Sequence, residues 1–184
     1  TAFLFSHSIW AAQLRDYSPY EYDVRFTNPD CADYYYTQPI TARDGSLLYR
    51  KPRNAYCKTS DYETNFRRAG TPSEKLMDWI EAVDTKEIFL SYFSFSNESI
   101  VTALCQAMTT RNLQVTVVLD NESDTKAVEA LELCGQENFE HHARGDVPGI
   151  EIAHNKLIIV NPRAPHAVKI SFSSGNMTAG LVLH

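Results

Sequence analysis

A chain of 184 residues, 43% of them hydrophobic and 22% charged, has the make-up of a globular protein with room for one real core. Its formal net charge of −6 argues against a partner as anionic as nucleic acid, and no apolar run is long enough to cross a bilayer as a helix. Four cysteines without a C-x-x-C pair exclude the common zinc patterns, so no metal is expected.

The chain divides in two. Residues 1 to about 70 are irregular and rich in Tyr and Pro, and are expected to pack on the remainder. Thr1 to Leu14 is moderately apolar but broken by Ser6, His7, Ser8 and Gln13, and it lacks the basic leader of a signal peptide. Tyr20 to Phe26 alternates like a strand, and Tyr34 to Tyr36 reads as a strand or a packed aromatic loop. Turns are marked by Asn28-Pro29-Asp30 and Asp44-Gly45. Arg43, Arg50, Lys51, Arg53, Lys58, Arg67 and Arg68 make this region locally basic. They read as a solvated surface, with a headgroup-facing rim as the alternative. Cys31 and Cys57 flank a segment that buries little of itself and would gain from a staple. A Cys31–Cys57 disulfide is expected, which implies export.

Residues 71–184 become regular. Thr71-Pro72-Ser73-Glu74 is a helix start, with Thr71 as N-cap and Glu74 closing a capping box. Leu76, Ile80 and Val83 follow at helical spacing. Ile88 to Phe95 reads as a strand. Ser96 then caps a helix whose Ile100, Val101, Leu104 and Met108 share a face. Val115 to Leu119 is a β-branched run expected to be covered on both sides. Another helix spans about Asp124 to Cys134, with Gly135 as its C′ stop. Cys105 and Cys134, inside helices, read as buried free thiols. Phe139 to Ala143 reads as a short strand whose His141 and His142 face opposite ways. Ile150 to Val160 and Ala167 to Phe172 are strands. The Pro162 and Pro165 connector between them predicts an antiparallel hairpin. The whole predicts an α/β fold: a mixed, mainly parallel sheet sandwiched by helices.

The chemistry collects on that hairpin. His154 and Lys156, one residue apart on a strand, share a face, so an imidazole stands beside a fixed positive charge. Ser174 and Asn176 arrive at the end of the next strand with a hydroxyl and an amide. Imidazole, ammonium, hydroxyl and amide suit a phosphate ester better than a carbonyl.

These residues resemble the HKD motif of the phospholipase D superfamily: His, any residue, Lys, four residues, Asp, then Gly-Ser-any-Asn. His154, Lys156, Ser174 and Asn176 match; Ser173 stands where Gly is usual, and Asn161 stands at the Asp position. The resemblance implies a phospholipase D-like half-domain and a metal-independent, cofactor-free phosphodiesterase or phosphatidyl transferase. In it, His154 attacks phosphorus as nucleophile, or serves as general acid, through a phosphohistidine intermediate. Lys156 and Asn176 hold a non-bridging oxygen, Ser174 touches the phosphate or supports its turn, and Asn161 is a supporting residue. Such enzymes use two histidines and a carboxylate downstream of the Asn element. This chain has a single His-x-Lys and no acid after Asn176. A second motif is therefore expected from a continuation past His184, the favoured reading, or from a homodimer.

The acidic charge favours phospholipid over nucleic acid as substrate, with peripheral membrane contact and a periplasmic or extracellular location. A nuclease of the same fold and a non-catalytic phosphate-binding or structural half-domain are the alternatives.

Overall fold

The computed structural model describes residues 21–27, 29–36, 40–48, 55–121, 123–145 and 153–183. Two small antiparallel ribbons come first. β1 (Tyr34–Tyr36) pairs with β4 (Ala55–Cys57), and β2 (Ile40–Thr41) with β3 (Leu47–Leu48). Gly45 turns the second ribbon with a φ of 84°, which glycine adopts without strain. Residues 21–27 are not a strand. Tyr22, Val24 and Phe26 alternate, but they are 88%, 75% and 75% exposed. Among the described residues this segment joins none of the sheets; Arg25 instead reaches Glu74 at 2.8 Å. The expected turn at Asn28 and the lysines and arginines at 50, 51 and 53 lie wholly or partly outside the described residues.

Helix α1 (Tyr62–Phe66) leads to α2 (Pro72–Glu81). The Thr71 hydroxyl accepts from the Glu74 N–H at 3.3 Å, as the sequence predicts, whereas the Glu74 carboxylate reaches back one residue further, to the Gly70 N–H at 2.8 Å. Leu76, Met77 and Ile80 form the buried stripe. Val83 falls past the end of the helix and is 78% exposed.

The main sheet has five strands in the order β7-β6-β5-β8-β9. β5 (Glu87–Tyr92) passes through α3 (Glu98–Arg111) to β6 (Gln114–Asp120), and β6 through α4 (Lys126–Gly135) to β7 (Phe139–Arg144). These three strands are parallel. The chain then returns to the other side of β5 as β8 (Lys156–Val160), antiparallel, and closes the hairpin with β9 (Lys169–Phe172). The α/β class, the mostly parallel sheet flanked by helices and the late hairpin are those read from the sequence. A short helix, α5 (Gly180–Leu183), buries Val182 and Leu183.

The core lies between α2, α3, α4 and one sheet face, where Ile88, Leu90, Val115, Val117, Leu119, Ile158 and Val160 are all buried. On the opposite face Phe89, Thr116, Val118, Leu157 and Ile159 are half-buried, so β6 is fully covered on one side only. Ile170 and Phe172 on β9 are 52% and 79% exposed.

Three local expectations are corrected. Asn97, not Ser96, caps α3, because its Oδ1 reaches the Ile100 N–H at 3.1 Å. Gly135 is the last residue of α4, while Gln136 takes the positive φ of 45°. Gly135 is needed for close approach, since a Cβ there would sit 2.6 Å from Phe139 Cβ and 2.7 Å from Met108 Sδ. Cys105 and Cys134 are not free thiols: α3 and α4 lie side by side and the two residues are bridged at a Cα–Cα distance of 5.5 Å. The expected Cys31–Cys57 bridge is present, and there is no free cysteine among the described residues.

Candidate active site

Four of the candidate residues, His154, Lys156, Ser174 and Asn176, lie at one edge of the sheet, where β5 ends, β8 begins and β9 ends. Chain connections diverge there, outward through α3 on one side of β5 and back into β8 on the other. Such switch points at the carboxyl ends of parallel strands open crevices in α/β sheets.

The strand carrying Lys156 is shorter than expected. The described chain resumes at Ala153, and β8 starts at Lys156, so His154 and Asn155 lead into the strand without belonging to it. The Phe93 N–H donates to the Asn155 carbonyl at 3.1 Å and pins this lead-in to the end of β5. His154 is exposed, and its ring lies 5.1 Å from that of Phe93, tilted by 52°. Lys156 Nζ sits 5.6 Å from the centre of the same ring and donates to the His154 carbonyl at 3.2 Å. Imidazole and ammonium are thus grouped about one aromatic side chain.

Lys156 is only 8% exposed. Burial pushes its pKa below the ordinary lysine value. Among the described residues no carboxylate pairs with it: the ion pairs of the sheet lie elsewhere, as at Arg163–Glu87 and Lys169–Asp84.

The second element folds against the first. The Ser173 N–H donates to the Lys156 carbonyl at 3.1 Å, which extends the β8–β9 ladder by one step. Ser173 Oγ donates to the Gly175 carbonyl at 2.9 Å and shapes the turn. Ser173 also bonds the Tyr92 hydroxyl, whose pKa burial raises to about 12, so that phenol stays neutral. Ser174 is exposed. Asn176 precedes Met177, whose N–H and carbonyl bond Ser94, Ser96 and Asn97 beyond the end of β5. Asn176 Oδ1 is buried with no hydrogen-bond partner among the described residues.

Asn161 is elsewhere. It sits past the far end of β8, with a φ of 51°, a conformation asparagine tolerates better than most residues. Its Oδ1 accepts from the N–H groups of Lys86 and Glu87 at 2.8 and 3.2 Å, and its Nδ2 donates to the Asp84 carbonyl at 3.1 Å. It braces β8 to the start of β5 and touches no other candidate residue. His141 and His142 lie on the edge strand β7; His142 pairs with Glu140 at 2.9 Å, and burial lowers the His141 pKa.

Sequence reasoning missed Phe93, which joins His154 to Lys156, and Asp120, whose buried carboxylate lies at the same edge. Phe93 was hidden inside an apolar run where every residue reads as core. Asp120 ends a β-branched run, and only the pairing of strands brings it near His154.

No protein-family model and no curated protein matches the sequence. Among solved structures, part of the chain is similar to polyphosphate kinase from Porphyromonas gingivalis, at 22% identity and a TM-score of 0.41. The match covers 56% of this chain and 18% of the kinase chain. At that level the likeness assigns neither activity nor substrate.

Proposed function

We propose that this edge is the phosphate-handling half of a metal-independent phosphodiesterase or phosphatidyl transferase of the phospholipase D type, acting on phospholipid esters. The observation that carries the reading is Lys156, a largely buried lysine with no carboxylate partner among the described residues, next to an exposed imidazole. A buried charge costs several kcal/mol unless compensated. An anionic group bound at this edge supplies that compensation.

Neutral His154 attacks phosphorus. An N–P bond forms, the P–O bond to the leaving alcohol breaks, and that alcohol takes a proton from a second histidine in the remainder of a longer chain or in a second copy. Water or another alcohol, deprotonated by the second histidine, then displaces His154. Lys156 stabilises the charge on the non-bridging oxygens. The Asn176 amide, rotated about its terminal bond, offers an N–H donor to the same group.

Ile170 and Phe172, exposed on the strand that runs into Ser173, favour a substrate with an apolar part over a polynucleotide. The net charge of −6 points the same way. Two disulfides support an exported protein, and no described helix is long and apolar enough to cross a membrane.

The test compares hydrolysis of phosphatidylcholine vesicles and of single-stranded DNA, both with EDTA, by the wild type and by His154→Ala. Lipid turnover that persists with chelator and vanishes in the variant is expected, with no change in melting temperature because His154 is exposed. Turnover that survives His154→Ala overturns the reading, and turnover of DNA alone replaces it with the nuclease.

A further inference from the structure

Asp120 is the last residue of β6 and is 3% exposed. Burying a carboxylate is costly unless it is bonded. Its Oδ2 accepts the N–H of Ala153 at 2.7 Å, the residue before His154. The turn after β6 is closed by other groups: the Ser123 N–H donates to the Asp120 carbonyl at 3.0 Å and the Asn121 N–H to the Arg144 carbonyl at 2.8 Å. On the other flank of His154, the Phe93 N–H holds the Asn155 carbonyl. His154 stands between two fixed peptides, one held by β6 through a carboxylate and one by the backbone of β5.

We infer that Asp120 is the positioning residue for His154: its carboxylate, gripping the Ala153 N–H, sets the direction in which the imidazole is presented beside the end of β5. The inference rests on the reading of His154 as the attacking group. A charge-assisted bond is shorter and stronger than one to a neutral acceptor. It can hold the Ala153 end of the lead-in, three residues before β8 begins. Attack on phosphorus demands such control, because a misplacement of ~1 Å costs ~100-fold in rate.

The experiment compares the full chain with Asp120→Ala and Asp120→Asn by three readouts. These are hydrogen exchange of the Ala153 amide, NMR signals of the His154 ring, and steady-state hydrolysis of bis(4-nitrophenyl) phosphate with EDTA. In Asp120→Ala, Ala153 exchange is expected to rise and the ring signals to broaden or double. In the same variant kcat should fall by up to ~100-fold with KM nearly constant. Asp120→Asn keeps an acceptor oxygen and should restore most of each. Ring signals and Ala153 exchange unchanged in Asp120→Ala overturn the inference, as does a loss confined to KM. A wild type without turnover defeats the phosphodiesterase reading alone, and the two NMR arms then decide the positioning role. If Asp120→Ala does not fold, Ala153→Pro deletes the donor instead; a folded Ala153→Pro chain with wild-type ring signals overturns the inference equally.

Discussion

Lys156→Met separates what the ammonium does for the fold from what it does for a ligand. Methionine keeps the length of the stem and removes the charge. In the wild type burial of Lys156 works against its charged form. Against it stand one hydrogen bond to the His154 carbonyl at 3.2 Å, about 1.5–3 kcal/mol, and the Phe93 ring face at 5.6 Å, about 1 kcal/mol. These terms nearly cancel, and the freed carbonyl belongs to an exposed residue that water can reach. The variant should therefore be more stable by about 1 kcal/mol at pH 7, a rise of ~2–4 °C in melting temperature for a chain of this size. Turnover should fall ~100-fold or more, as when one oxyanion donor is lost. The pH dependence has a fixed sign. The folded pKa of Lys156 is lowered, so the unfolded chain holds the proton more tightly, and wild-type stability rises with pH towards the ordinary lysine value near ~10.4. The gap to the methionine variant should narrow over that range. Calorimetry from pH 7 to 10 with parallel rate measurements checks both halves. A melting temperature that drops by several degrees would mean the ammonium is a structural brace, and the argument for a site held ready for an anion would fail.

Three further perturbations probe the frame around the site. Opening the Cys105–Cys134 bridge by paired serine substitutions releases a loop of sequence separation 29 and should cost ~3.6 kcal/mol by urea unfolding; thiol titration of the unreduced wild type in denaturant should detect no reactive thiol. Asn161→Ala leaves the Lys86 and Glu87 N–H groups and the Asp84 carbonyl without their partner and puts alanine at φ 51°, a loss of roughly 3 kcal/mol, while Asn161→Asp keeps the acceptor and should cost less than half as much. Burial lowers the pKa of His141, so its protonation opposes folding and stability is lost as pH falls below ~6.5; His141→Gln should flatten that acid limb in melts from pH 8 to 5.

Local signals carried much of the architecture into the sequence. The Thr71-Pro72 start of α2, the apolar stripe of α3 and the two prolines of the β8–β9 connector each act within a few residues, where propensity and capping decide. What the sequence hid depends on which faces meet. Cys105 and Cys134 look like ordinary helical thiols until α3 and α4 are set side by side. Gly135 looks like a stop signal until Phe139 and Met108 close in on it. Tyr22, Val24 and Phe26 alternate as a strand does, yet alternation makes a strand only where an edge is free to pair. The site was half legible for the same reason. His154, Lys156, Ser174 and Asn176 lie on one hairpin, close in sequence. Phe93 and Asp120 come from β5 and β6, and nothing in their own neighbourhoods marks them.

Asn161, one of the two positions at which the chain departs from the pattern it resembles, bears on this division. Read along the sequence, an amide at position 161 in place of a carboxylate looks like damage to a catalytic set. In space it stands past the end of β8 opposite to His154, occupied with three hydrogen bonds to the residues that start β5. A carboxylate there could accept from the same two N–H groups but would have no hydrogen to offer the Asp84 carbonyl. The amide serves both, so the departure concerns how the hairpin is fastened to the sheet. The chemistry proposed for the other end depends on the ammonium of Lys156, the imidazole of His154 and the anion they would hold.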